Sequence, residues 1–431
     1  MLNKISEAYK NLIESATAKL VMANSLWILA EKVIRALLGL LVGAWVARYL
    51  GPQDFGELAY VVSFIAFFQA IVGLGADGVV VREISINKAK AGEILGTVFC
   101  LRFTAGLTCW LLALLGVVLE NGFNDSLVPL VFFVGLTLVF QPADTIDLWF
   151  QSQSQSRRAV YAKLVTQLVS NAIKVALILT SMPLLAFAVV SALEGLITAL
   201  GLIVVYKSFK TDERWIFLKQ TGFKLLKESW PYVMSGLSVA IYMRIDQVMI
   251  RNMLGATQLG IYAVAVPLSQ VWFVLPMSLA TSLAPYLARK KTLGEEAYYA
   301  FLLKIFRFFG LTALLISLFM YAGSDYIVKF LYGDAYKDAS LILGIHVFSC
   351  VFVFQALAQS LWIVNEGKGI IQTYQTLVGA FTALTLNYVL IPIYGITGAA
   401  ITAVLSYAMA GVFSNIFLAP KIFRMQFGLA I

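Results

Sequence analysis

Twelve stretches of this chain are each about 20 residues long and poor in charged residues, which restricts the folds open to it. A helix of about 20 residues crosses a hydrocarbon core of roughly 30 Å and satisfies its own backbone hydrogen bonds. The stretches are continuously apolar rather than alternating, so helices are favoured over a barrel. We therefore predict an all-α integral membrane protein with twelve transmembrane helices. The predicted spans are 24–46, 58–81, 95–118, 127–150, 160–181, 184–206, 231–252, 260–286, 298–322, 340–364, 370–392 and 396–418.

The second half of the chain is a divergent copy of the first. Residues in spans 1 and 2 return 204 positions later, and residues in spans 4 and 5 return 213 positions later. The clearest pairs are Gly51 and Gly255, Gly56 and Gly260, Trp149 and Trp362, and Tyr161 and Tyr374. Many transporters are built from such repeats, so we predict two pseudo-symmetric six-helix lobes forming a V around a central cavity. The predicted divisions are an amphipathic N-terminal helix at 1–22, an N-lobe at 23–207, a basic cytoplasmic linker at 208–229 and a C-lobe at 230–431.

The basic residues predict the orientation of the spans. Twenty lysines and arginines lie in the amino-terminal segment and in the connections after even-numbered spans, against four in the other connections. Basic connections remain in the cytoplasm, so both termini are predicted to be cytoplasmic. This topology accounts for the net charge of +9 through contact with membrane lipids, without a nucleic-acid partner.

Catalytic and cofactor motifs are absent from the sequence. The chain contains no Walker-type phosphate loop, and its one histidine, His346, cannot complete a catalytic triad or a metal cluster. The three cysteines lie in apolar spans without metal-ligand spacing. We therefore expect neither an enzyme nor a cofactor or metal.

Several basic residues lie within predicted spans, where an ionised group is costly unless it faces a cavity or a partner. Arg35, Lys174 and Arg244 lie 11 to 14 residues from the cytoplasmic ends of their spans, too deep to reach the headgroups easily. Guanidinium groups in a hydrated cavity suit a bulky anion such as a diphosphate. The alternative is that these cations are neutralised in structural ion pairs. Lys163, by contrast, lies close enough to its span end to extend to the headgroups.

A polar stripe crosses span 4, and Pro142 interrupts it. Helical spacing places Gln141, Asp144, Asp147 and Gln151 on one side, and span 10 has Gln355 and Gln359 in the corresponding region. Asp246 is a further buried candidate on span 7. Amides and carboxylates suit a sugar ring or a coupling ion, although polar stripes also hold helices together.

Short motifs along nearly the whole chain carry a family resemblance. They are Arg48-Tyr-Leu-Gly-Pro-Gln-Asp-Phe-Gly56, Gly73-Leu-Gly75, Val81-Arg-Glu83, Leu331-Tyr-Gly333 and Ile391-Pro-Ile-Tyr-Gly-Ile-Thr-Gly-Ala-Ala400. Together they resemble the polysaccharide-biosynthesis flippases, the Wzx-type O-antigen and exopolysaccharide transporters. These belong to the MOP superfamily, which includes the lipid II flippase and the MATE drug exporters.

The resemblance implies a flippase of the bacterial inner membrane that carries an undecaprenyl-diphosphate-linked oligosaccharide for lipopolysaccharide, capsule or exopolysaccharide biosynthesis. A polysaccharide polymerase and a chain-length regulator are the protein partners it implies. On this interpretation Arg35, Lys174 and Arg244 bind the diphosphate, with Arg102 and Arg307 nearer the cytoplasmic mouth. The alternative within the same fold is a cation-coupled drug or metabolite exporter. A glycosyl polymerase or ligase is disfavoured because the extracytoplasmic connections are short.

Overall fold

The computed structural model describes residues 2–209 and 214–429, with side chains from residue 34 onward. The described chain is almost entirely helical. Its α-helices are α1 Leu2–Val72, α2 Asp77–Ile86, α3 Ala91–Asn121, α4 Leu127–Phe140, α5 Thr145–Ser152, α6 Arg157–Leu179, α7 Leu184–Ser208, α8 Lys219–Leu254, α9 Ala256–Gln270, α10 Val274–Thr292, α11 Glu295–Tyr332, α12 Ala339–His346, α13 Ser349–Glu366, α14 Gly369–Ala408, α15 Asn415–Leu418 and α16 Pro420–Gln426.

Twelve membrane spans follow from these helices. Within the described ranges, ten segments are long and apolar enough to cross a membrane. Two of them break at a glycine with positive φ, Gly51 in α1 and Gly395 in α14, and dividing them there gives the twelve predicted spans. In the first half, spans 1 and 2 are the two parts of α1, span 3 is α3, span 4 is α4 with α5, and spans 5 and 6 are α6 and α7. In the second half, span 7 is α8, span 8 is α9 with α10, span 9 is α11, and span 10 is α12 with α13. Spans 11 and 12 begin as the two parts of α14.

The sequence repeat is also a structural repeat. Gly51 (φ 73°, ψ 172°) turns the chain from span 1 to span 2, and Gly255 (φ 92°, ψ 170°) turns it from span 7 to span 8. Residues with a Cβ rarely adopt this conformation, which explains why glycine occupies both positions. Spans 1–6 form the first lobe and spans 7–12 form the second, and the lobes meet mainly through α1, α2 and α3 on one side and α8 to α11 on the other.

Connections at 73–76, 153–156, 214–218, 293–294 and 367–368 lie on one side of the spans, which we call the basic face. The turns at Gly51, Gly255 and Gly395 lie on the other side, which we call the opposite face. Within span 4, α4 ends at Phe140 and a short 3₁₀ helix covers Gln141–Asp144. This confirms the predicted interruption, because Pro142 has no backbone N–H to continue an α-helix.

Helix α8 begins at Lys219, inside the stretch predicted as a linker. The residues before it are bound to the first lobe: the amide of Ile216 donates to the carbonyl of Gly92 (3.2 Å), and that of Leu218 donates to Oγ1 of Thr97 (3.0 Å). The connection is therefore a strap fixed along α3. The backbone of residues 2–22 belongs to α1, but the amphipathic pattern predicted for 1–22 concerns side chains outside the described residues.

Candidate functional site

A polar cavity of about 420 Å³ lies within the first lobe, between spans 1, 2, 4 and 6. Its polar lining includes Arg35, Gln69, Gln141, Asp144 and Glu194, and Ile65 and Phe140 are among its apolar lining residues. The break at Pro142 helps to form it, because the 3₁₀ turn carries both Gln141 and Asp144. The structure thus brings together three residues that the sequence predicted as site residues. We call this the first cavity.

Two lysines of α6 neutralise the carboxylates of the first cavity. Nζ of Lys163 lies 3.0 Å from Asp144 and 2.7 Å from Asp147. Nζ of Lys174 lies 3.2 Å from Glu194, whose same oxygen accepts a hydrogen bond from Ser170 (2.6 Å). Among the described side chains these two lysines and Arg35 are matched by three carboxylates. The predicted surplus of cations is therefore not found at this cavity.

Span 7 carries an arginine, Arg244, on the face that packs against the first lobe. Gln247 accepts a hydrogen bond from Ser63 of span 2 (2.7 Å), and Nε of Arg251 lies 3.4 Å from Glu57 of span 2. Helical spacing places Arg244 on the same face, one turn nearer the basic face. Arg244 is half-buried and forms no ion pair or hydrogen bond with a described residue.

Asp246 lies away from this face. Its carboxylate is buried and accepts hydrogen bonds from the hydroxyl of Tyr262 and from the amide of Gln247. The acceptor capacity of Asp246 is thus directed into the packing between spans 7 and 8. A substrate in the space between the lobes would meet Arg244 rather than this carboxylate.

A second cavity, of about 320 Å³, lies within the second lobe between spans 7, 8, 10, 11 and 12. Tyr242, Phe273 and Tyr407 form an aromatic cluster, with ring centroids 5.4 Å apart for Tyr242–Tyr407 and 6.0 Å for Phe273–Tyr407. The polar lining comprises Ser360, Gln372, Gln375 and Thr376. None of these lining residues is charged, so the two lobes hold cavities of different character.

The span 10 amides predicted to face a sugar instead connect helices. Nε2 of Gln355 donates to the carbonyl of Phe306 on span 9 (3.2 Å). Gln359 exchanges hydrogen bonds with Asn415 (2.8 Å each), which also accepts one from Gln375. Gln355 and Gln359 thus belong to a buried amide network that holds helices together. This is the alternative role that the sequence analysis had left open for the polar stripes. Gln151, at the end of span 4, is exposed.

The two remaining predicted cations lie outside both cavities. Arg307 is exposed on α11 and donates to the carbonyl of Gly428 (2.6 Å). Arg102 is only 2% exposed; it pairs with Asp77 and donates to the carbonyl of Gly73 (2.9 Å). These contacts hold the turn from span 2 to α2, where Leu74 (φ 55°) adopts an unfavourable conformation.

Replacing Arg102 with glutamine should destabilise the protein rather than act only on transport. Loss of the buried charge-assisted hydrogen bonds should cost about 1–3 kcal/mol, measurable as a lower midpoint of thermal unfolding in detergent. Arg307→Gln, which loses one exposed hydrogen bond, is the control and should leave the midpoint almost unchanged. An unaltered midpoint for Arg102→Gln would contradict the structural role.

The lobes meet closely at the opposite face through repeat-related glycines. A Cβ atom at Gly56 would overlap the backbone carbonyl of Ala256, and one at Gly260 would overlap that of Pro52. Because Ala256 and Gly260 are the repeat counterparts of Pro52 and Gly56, the contact is reciprocal about the pseudo-twofold axis. The hydroxyl of Tyr336 also crosses between the lobes, to the carbonyl of Ala47 (2.7 Å).

Sequence reasoning missed several residues of these sites. Lys163 was expected to reach the headgroups, whereas it pairs with two aspartates. The aromatic residues Phe273 and Tyr407 carried no motif of their own. The repeat offset was the available signal, since it relates positions in one cavity to positions in the other.

Comparison with known proteins gives two family matches and a full-length relative. Residues 21–291 match the family model described as polysaccharide biosynthesis protein, and residues 231–389 match the MatE model. The chain is 21% identical over 408 residues to the capsular polysaccharide biosynthesis protein CapF of Staphylococcus aureus, covering 90% of this chain and 97% of CapF.

Two solved structures share the fold. One is an inward-facing multidrug resistance MATE family transporter of the MOP superfamily (TM-score 0.72, 15% identity, 92% of this chain and 96% of that chain). The other is the lipid II flippase MurJ in an inward closed conformation (TM-score 0.72, 13% identity, 93% of this chain and 90% of that chain). These likenesses confirm the predicted fold of two six-helix lobes.

Proposed function

Because the chain belongs to the polysaccharide biosynthesis protein family, we propose that it is a flippase for a lipid-linked oligosaccharide. Its substrate is an undecaprenyl-diphosphate-linked repeat unit of an O-antigen, capsule or exopolysaccharide, moved from the cytoplasmic to the periplasmic leaflet by alternating access. The observation that carries this proposal is Arg244, a half-buried arginine without a described partner that lies at the space between the lobes. A fixed guanidinium there can replace water around a diphosphate.

The lysine pairs of the first cavity provide further phosphate ligands. Lys163 and Lys174 each lie within 3.2 Å of a carboxylate, which keeps the cavity close to neutral. A diphosphate oxygen can replace the carboxylate as the partner of either lysine, so substrate binding needs no new buried cation. In this scheme Arg35 and Lys174 bind from the first lobe and Arg244 binds from the second.

The orientation is part of the proposal. The excess of basic residues supports a cytoplasmic location for the basic face and both termini, in a bacterial inner membrane. We propose an inward-facing state that the glycine contacts close at the opposite, periplasmic face; Gly75 also packs against the backbone of Val233 at the basic face, so the lobes touch there too. We place the boundary between the lobes near Pro231 of α8, because the strap before it is bound to the first lobe. A polysaccharide polymerase and a chain-length regulator are proposed as protein partners.

A cation-coupled drug exporter is the second candidate, because the chain also matches the MatE model. Such an exporter needs carboxylates that are available to a cationic substrate. Here Asp144, Asp147 and Glu194 are already paired with lysines, which favours an anionic substrate.

The test is removal of this protein from a strain that makes a surface polysaccharide. Lipid-linked repeat units should accumulate in the inner leaflet and surface polysaccharide should disappear, with both defects reversed by the intact gene. Resistance to cationic drugs should not change. Normal polysaccharide together with raised drug susceptibility would support the exporter instead.

A further inference from the structure

The two cavities occupy equivalent places in the two repeats. The offset of 204 found in spans 1 and 2, and the offset of 213 found in spans 4 and 5, convert lining positions of the first cavity into lining positions of the second. The corresponding pairs are Arg35 and Val239, Gln69 and Phe273, Phe140 and Val353, Asp144 and Leu357, and Glu194 and Tyr407. The second cavity is therefore the counterpart of the first rather than an incidental gap in packing.

Each ionised group of the first cavity has an uncharged counterpart in the second. Arg35, Asp144 and Glu194 correspond to valine, leucine and tyrosine. Lys163, the partner of Asp144, corresponds to Thr376, which also lines the second cavity. The duplicated cavity thus exists in one charged form and one neutral, aromatic form within the same protein.

The lining of the second cavity suits an uncharged sugar. Tyr242 and Tyr407 meet edge to face (82° between ring planes), and such rings offer flat apolar surfaces to the C–H face of a pyranose. Ser360 and Thr376 donate their hydroxyl protons to the carbonyls of Leu357 (2.7 Å) and Thr373 (2.9 Å), so their oxygens can act as acceptors, and the exposed Gln372 adds an amide that can donate and accept. The volume of about 320 Å³ lies within the range of small-molecule sites, about 300–1,000 Å³.

We propose that the second cavity binds a neutral sugar residue of the lipid-linked oligosaccharide, while Arg244 and the first-cavity cations bind its diphosphate. This inference rests on the proposed function and adds a division of the substrate between the two lobes. The isoprenoid tail is not the proposed occupant, because it can remain in the bilayer, where it loses no apolar contact with lipid. Tyr242, Tyr407 and Gln372 are thereby specificity-determining residues.

The experiment compares two probes on the purified protein in nanodiscs: undecaprenyl diphosphate, and the same lipid carrying the strain's oligosaccharide. Tyr242→Leu should weaken binding of the sugar-bearing lipid by about tenfold, the upper value for an aromatic contact, and change binding of the bare lipid less than about twofold. Gln372→Ala, at an exposed position, should shift the same ratio in the same direction without affecting folding. Lys174→Gln is the matched first-lobe variant and should weaken both probes equally.

The outcomes separate this inference from the proposed function. Equal weakening of both probes by Tyr242→Leu would place the lipid tail in the second cavity and overturn the inference. Unchanged binding of both probes by both second-cavity variants would show that the cavity is not a ligand site. A wild-type protein that binds neither probe would overturn the proposed function itself.

Discussion

Replacing Arg244 with glutamine is expected to reduce export of the lipid-linked oligosaccharide by roughly 100-fold. The guanidinium forms no ion pair or hydrogen bond with a described side chain, and in the proposed function its hydrogen-bond donors bind the diphosphate. Losing two charge-assisted hydrogen bonds to a diphosphate costs about 3 kcal/mol, and each 1.4 kcal/mol is a factor of ten. Arg244→Lys retains the charge but loses the bidentate geometry, so an intermediate loss of about tenfold is expected. The measurement is surface polysaccharide in a strain whose only copy is the variant.

The control for this prediction is Lys329→Gln. Lys329 is a highly exposed cation on α11, with only a 3.5 Å ion pair to exposed Asp334. The Lys329→Gln variant should leave export unchanged. This result would show that the position of Arg244, and not the loss of one positive charge, accounts for the defect. Membrane insertion and the thermal unfolding midpoint of Arg244→Gln should match those of the wild type. Normal export by Arg244→Gln would remove the arginine from the diphosphate site.

The sequence predicted the spans well because their signal is local. A continuous apolar run of sufficient length must become a helix in lipid, whatever its neighbours. The boundary of span 7 was less well predicted, because α8 begins at Lys219 in a stretch too polar to register as a span. That stretch is helical because it packs along α3, with Gly222 against Thr97, and such a contact cannot be read from hydropathy.

The ion pairs required the tertiary structure. The sequence supplied Lys174 and Glu194 as intramembrane charges, but their pairing depends on the rotation of α6 relative to α7. Arg102 illustrates the same limit: the family resemblance suggested a substrate ligand near the cytoplasmic mouth, whereas its contacts in the structure stabilise a turn. Roles of the predicted site residues therefore stay proposals, now restricted by the partners that each residue has.

Alanine at Gly56 or Gly260 is expected to prevent closure of the lobes at the opposite face. The added Cβ would overlap a backbone carbonyl of the other lobe, which cannot move aside as a flexible side chain could. The lobes must then separate locally, and the inward-facing state loses this contact. Since alternating access requires both states, export should fall by tenfold or more, as expected when a close-packed helix crossing is lost. The measurement is again surface polysaccharide in a strain with a single, variant copy.

Opening at this face can be followed directly with one introduced thiol. Ala47→Cys, in a protein lacking the three native cysteines, places a fully buried thiol beside the contact with Tyr336 and keeps the carbonyl that accepts its hydrogen bond. Labelling by a membrane-impermeant maleimide should increase several-fold when Gly56→Ala is added. Gly39→Ala is the matched control, because a Cβ there meets no atom within 4 Å, and it should change neither labelling nor export. If Gly56→Ala labels like this control, the reciprocal glycine contact does not hold the lobes together, and the inward-facing state must depend on other contacts.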